Sequence, residues 1–155
     1  MSKNKIKLIR QKIDAIDHQI LKLIQRRGSL AQKIGKLKSL MSSNTSFYKP
    51  KREAEILRNI SKLNNGPILE NKVNHIFKEI ISSCLSLEEE LTIAYLGPEG
   101  THSEGAVIQH FGSSPIRSPR STIEDVFHQV RSGSANFGVV PVENSSEGVV
   151  NATLN

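Results

Sequence analysis

Arg27 interrupts an apolar stripe. Ile6, Ile9, Ile13, Ile16, Ile20, Leu23, Arg27, Leu30, Ile34, Leu37 and Met41 recur at alternating steps of three and four, and ten of these eleven positions are apolar. On a helix this spacing turns all of them into one seam. A guanidinium buried there without an anion forfeits roughly several kcal/mol of hydration. Three arrangements answer that: a polar residue that sets the register of a partner helix, an acidic residue of the partner, or a bound anion. Lys38 follows Arg27 by eleven residues, which at about 100° per residue puts both within roughly 20° on one face. Arg52 adds a third guanidinium, and Cys84 and Glu88, four residues apart, are expected on one helical face with Phe77 and Ile81. For Glu88 the alternative is a solvated helix end, since Glu89 and Glu90 follow it.

These residues need long elements to position them. The stripe predicts a first helix from about Lys5 to Leu40, roughly 50 Å long. "MSSNTSFYKP" breaks it, and Pro50 suits the first turn of a second helix, "KREAEILRNISKLN", expected to bury Ile56, Leu57, Ile60 and Leu63. "NNGP" stops that helix. A third, from about Leu69 to Glu90, carries Val73, Ile76, Phe77, Ile80, Ile81, Cys84 and Leu87 on one broad face. Two short helices cannot cover the long seam, so a homodimer or tighter oligomer is expected. Arg10 stands seventeen residues before Arg27, roughly 25 Å away along one helix. An antiparallel two-fold brings the partner's Arg10 beside Arg27.

From Thr92 the pattern changes. "TIAYLG" reads as a strand, "HSEGAVIQHFG" as a helix, "SPIRSP" as an extended piece, "STIEDVFHQVRSG" as a helix and "NFGVVPVEN" as a second strong strand. This order predicts parallel strands with helical crossovers. The expected division is 1–91 and 92–155, and the second unit looks truncated. "AYLGPEGTHSEGA" offers an anion site at a helix start, with Thr101 and Ser103 as capping hydroxyls, or an ordinary capped turn. It has neither a P-loop ending nor a dinucleotide-binding fingerprint.

Charge divides the same way. Residues 1–91 carry 18 Lys/Arg against 9 Asp/Glu, and residues 92–155 carry 3 against 6, within a total of +6 over 155 residues. The basic half is expected to take an anionic partner. A hydrophobic content of 37% and the lack of a long apolar run predict a soluble protein with no membrane span. A charged N-terminus and one cysteine, Cys84, fit a cytoplasmic location without disulfides. The five histidines are scattered, so no metal site is expected.

Arg10, the pair ending in Arg27, "GKLK" ending at Lys38, "KREAEIL" with Arg52 and Glu53, and "IISSCLSLE" ending at Glu88 together resemble the all-helical chorismate mutases. The resemblance covers residues 5–90. It implies an intertwined dimer of three-helix chains, each site drawing on both, that rearranges chorismate to prephenate without a cofactor. It further implies that Arg27 and the partner's Arg10 clamp the two carboxylates. Lys38 would reach the ether oxygen and a carboxylate, Glu53 would bind the ring hydroxyl, and Arg52 would lie beside the site. Three positions depart from one form of the family pattern: Lys49 replaces an aspartate at the site's edge, Cys84 a serine and Glu88 a glutamine. A glutamate donates to the ether oxygen only when protonated, so activity is expected to titrate with Glu88.

"YLGPEGTHSEGA" with "NFGVVPVENSSEG" resembles the N-terminal part of prephenate dehydratases, whose α/β lobes resemble periplasmic binding proteins. Glu143, Asn144 and Ser145 would then lie at the cleft between lobes. The order of the two units matches the bifunctional P-protein family of phenylalanine biosynthesis. Its dehydratase Thr-Arg-Phe stretch and its phenylalanine-sensing domain come further on, so dehydratase activity is expected only of a longer chain. Two other readings are a basic helical dimer that binds nucleic acid and a regulatory dimer with a decayed mutase site. The first is opposed by the scarcity of stacking aromatics (Phe47, Tyr48 and Phe77 in the basic half), the second by the retention of Arg27 and Lys38.

Overall fold

A computed structural model describes residues 2–41, 48–144, 148–149 and 153. Helix α1 (Ser2–Met41) runs unbroken for 40 residues. Its stripe stays uncovered within one chain, from 46% exposed at Ile34 to 63% at Leu23. A different face of α1 makes the intramolecular contact. Gly28, Ala31 and Gly35 are buried there. A Cβ on Gly28 would stand 3.1 Å from Leu87 Cδ1, and one on Gly35 3.1 Å from Glu88 Cα. Small residues at steps of three and four thus admit the backbone that leaves α3.

Helix α2 (Pro50–Leu63) starts on its proline and ends at Asn64, whose side-chain amide donates to the carbonyl of Ile68 at 3.0 Å. It buries less than its pattern suggests. Ile56, Leu57 and Ile60 are half-buried and Leu63 is exposed, because α2 packs chiefly on α3 (Glu70–Leu85). On α3, Ile76 is exposed while Ser82 and Cys84 are buried. The helix also ends five residues earlier than expected. Glu88 sits in a turn beyond it, its N–H donating to the carbonyl of Leu85 at 2.8 Å. Such three-residue closures tighten a helix end and redirect the chain as it leaves.

Strands β1 (Thr92–Leu96), β2 (Ile116–Arg120) and β3 (Phe137–Val139) form a parallel sheet in the order β2-β1-β3. Thr92 lies opposite Ile116, and Ile93 opposite Phe137. Helices α4 (His102–Phe111) and α5 (Ile123–Arg131) make the crossovers. The second strong strand is split: Pro141, which has no N–H to give a ladder, separates β3 from β4 (Glu143–Asn144), and β4 pairs antiparallel with β5 (Gly148–Val149). Thr101 does cap α4 by position, but its hydroxyl turns back to the carbonyl of Leu96, and Glu104 instead accepts from the N–H of Gly100 at 2.7 Å. Hydrogen bonds to that N–H and to Arg117 hold the Glu104 carboxyl below the usual range.

Ile93, Tyr95, Val107 and Phe111 form a core on one side of the sheet with Leu91 and Tyr48. Ala94, Val126 and Ala135 pack on the other side. Tyr48 belongs to the connection between α1 and α2, so one residue of the helical part completes the core of the α/β part. Its ring lies 5.2 Å from that of Phe111 and 5.4 Å from that of Phe137.

Candidate active site

A cavity of about 160 Å³ opens where the three helices meet. Helix α1 supplies Arg27, Ile34 and Lys38, the connection supplies Tyr48 and Lys49, and α2 supplies Arg52, Glu53 and Ile56. Ile81, Cys84 and Leu85 of α3, with Glu88 from the following turn, close the remaining side. Arg27 and Lys38 share the cavity as their spacing requires. Seven of the eight residues expected in the mutase site are brought together. Arg10 is not: it is exposed on the N-terminal half of α1, outside the cavity lining.

Four cations and two carboxylates line this space, which leaves it a net positive charge suited to an anion of about two charges. Lys38 Nζ donates to Glu88 Oε2 at 3.2 Å, and both side chains are largely shielded. Glu53 is also shielded, with Lys78 Nζ 3.9 Å away. Burial raises the Glu53 carboxyl above the usual range, against the lowering effects of Lys78 and then His110. Burial and then the charge of Glu53 push the Tyr48 phenol up to about 12. That phenol keeps its proton at neutral pH. Arg52 is exposed and meets Glu55 at 3.5 Å.

A model of the chorismate mutase type II family matches residues 9–89. The chain belongs to that family. The solved chorismate mutase (form II) of Thermus thermophilus is 36% identical, with a TM-score of 0.52 over 55% of this chain and 94% of that one. A prephenate dehydratase family model matches residues 93–155. Bifunctional chorismate mutase/prephenate dehydratases of Stutzerimonas stutzeri and Pseudomonas aeruginosa are 47% and 46% identical over 154 residues. Each alignment takes in 97% of this chain, and the chain spans about 42% of the length of these relatives. A helical chorismate mutase domain is therefore followed by a small parallel α/β region that matches part of a prephenate dehydratase domain.

Sequence reasoning missed the part of the mutase pocket that comes from outside the charge pattern. Tyr48 lines it, and its hydroxyl meets Nε2 of His110 on α4 at 3.0 Å. A tyrosine two residues before a helix-starting proline was the available signal for Tyr48; nothing local marks His110. Of the dehydratase-cleft candidates, Glu143 is exposed and pairs with Val149 in register, and Asn144 pairs with Gly148. Ser145 lies outside the described residues. Among the described residues, no helix is long and apolar enough to cross a membrane.

Proposed function

We propose that this chain converts chorismate to prephenate by intramolecular [3,3] rearrangement. The C–O ether bond breaks as a C–C bond forms, and no proton or electron enters or leaves. The work of the protein is to hold the compact conformer and to stabilise negative charge on the ether oxygen. The observation that carries this reading is the convergence of Arg27 and Lys38 with Glu53 and Glu88 in one shielded cavity. Arg27 clamps a carboxylate through its planar fork. Lys38 donates to the ether oxygen and a carboxylate, Glu53 accepts from the ring hydroxyl, and protonated Glu88 is the second donor to the ether oxygen. Lys49, Arg52 and Cys84 border the substrate.

Of the expected carboxylate clamp, Arg10 is the half that its own chain does not bring to the cavity. The exposed stripe of α1 supports a homodimer in which the partner's Arg10 fills that role. In the full-length protein the α/β part is the beginning of a prephenate dehydratase that uses the mutase product, with Glu143, Asn144 and Ser145 at its cleft. The protein then acts in phenylalanine biosynthesis, in the cytoplasm. Chorismate consumption by purified protein, beside Arg27→Ala, tests the reading. Turnover lost in the variant supports it, and a folded parent protein without turnover refutes it.

A further inference from the structure

The α/β part reaches the mutase pocket at one point. Tyr48 is 8% exposed, its ring held among Phe111 and Phe137, and it also lines the pocket. Its hydroxyl meets His110 Nε2 at 3.0 Å, and the His110 ring stands edge-on to Phe111 at 4.7 Å. The end of α4 that carries His110 is itself fastened to α3. Lys78 donates to the carbonyl of Gln109, and Ser82 Oγ donates to that of Phe111 at 2.8 Å. Gly112, at φ +78°, lies so close to Ser82 that a Cβ there would overlap its side chain. The α4 terminus is thus a fixed support, whereas Tyr48 belongs to a connection between two helices.

We propose that His110 is a positioning residue of the mutase site, holding Tyr48 by its hydroxyl so that Tyr48 forms the pocket wall beside Lys49 and Glu53. The mutase site is on this view completed by the second unit, and the inference rests on the mutase reading above. Without the imidazole, Tyr48 loses the hydrogen bond of its hydroxyl to α4, and with it part of what sets the position of its ring beside Lys49 and Glu53. Substrate binding is expected to weaken more than the rearrangement slows, because the proposed donors to the ether oxygen, Lys38 and Glu88, stand on α1 and on the turn after α3.

The test is steady-state kinetics on chorismate for the whole 155-residue chain and three variants, with thermal melts alongside. His110→Leu is expected to raise KM about fivefold to tenfold, the scale of one hydrogen bond, with kcat within about twofold. Tyr48→Phe should give the same rise, the double variant no more than either single one, and His110→Gln, whose amide reaches the phenol, a KM near the parent's. An unchanged KM in His110→Leu, or single effects that add fully, would overturn the inference. Should His110→Leu fail to fold, an unchanged KM in Tyr48→Phe overturns it equally. Parent protein with no turnover sinks the mutase reading and this inference together, whereas an active parent with indifferent variants sinks this inference alone.

Discussion

Lys38 donates from Nζ to Glu88 Oε2 across 3.2 Å, joining α1 to the turn after α3 over fifty residues of chain. Both are proposed donors to the ether oxygen, so the two groups already stand at hydrogen-bond distance of one another. A carboxylate in that position accepts from Lys38, and to donate it needs a proton. Glu88→Gln, whose amide donates without needing a proton, is therefore expected to turn over chorismate at least as fast as the parent. A variant slowed about tenfold or more with its fold intact would remove Glu88 as a donor to the ether oxygen.

Arg27 is the cation of the seam and lines the cavity. Losing a bidentate, charge-assisted clamp removes roughly 3 kcal/mol or more, so Arg27→Ala is expected to lose at least about 100-fold in kcat/KM. Arg27→Lys keeps the charge and loses the planar fork, and should recover only a fraction. Full activity in the lysine variant would show that charge alone matters there.

A site shared between chains can be rebuilt by mixing. Arg10→Ala and Arg27→Ala chains, each inactive alone, form heterodimers in which one of two sites is intact. Random exchange makes half the dimers heterodimers, so unfolding and refolding the mixture should restore about a quarter of parent activity. No recovery from mixed dimers would place both arginines in one chain's site, and an active Arg10→Ala protein would place Arg10 in none.

Gly35 lets the turn carrying Glu88 approach α1, since a Cβ would stand 3.1 Å from Glu88 Cα and 3.3 Å from its carbonyl oxygen. Alanine favours a helix by about 1 kcal/mol, but overpacking against backbone costs about 1–3 kcal/mol. Gly35→Ala is thus expected to lower Tm and to reduce kcat by displacing Glu88. A higher Tm with unchanged kcat would show that the turn yields freely.

Glu53 has its carboxyl raised, by burial first, with Lys78 and then His110 opposing. The folded chain then holds this proton more tightly than the unfolded one. Stability from Glu53 is present at acid pH and falls as pH rises from the ordinary carboxylate value through the raised one. Glu53→Gln should therefore gain Tm relative to the parent between about pH 4 and pH 7. A constant difference across that range would mean that Glu53 titrates alike in both states.

Much of the candidate site was legible because its residues lie on regular helices. Arg27 and Lys38 share a face by helical arithmetic, and Arg52 and Glu53 follow a helix-starting proline. The parallel order of β1, β2 and β3 was legible too, because alternating strands and helices leave few ways to connect. Periodicity did not show where α3 ends. Its apolar face runs on to Leu87, yet the helix closes at Leu85, because Gly28, Ala31 and Gly35 let the following turn fold against α1. The burial of α2 was overread because a pattern tells which face is apolar and packing decides whether anything covers it, and the length of β3 because Pro141 has no N–H for the ladder.

The sequence by itself determined the long helix, its cationic face and the family to which these charges belong, since all three depend on spacing along one chain. Tertiary structure alone decided that Glu88 meets Lys38 from a turn and that Tyr48 leaves the helical part to fill the core of the α/β part. It also brought His110, sixty-two residues beyond Tyr48, to the hydroxyl of that tyrosine. Each of these is a meeting of distant segments, governed by the shape and volume available between packed elements, which no local pattern of residues encodes.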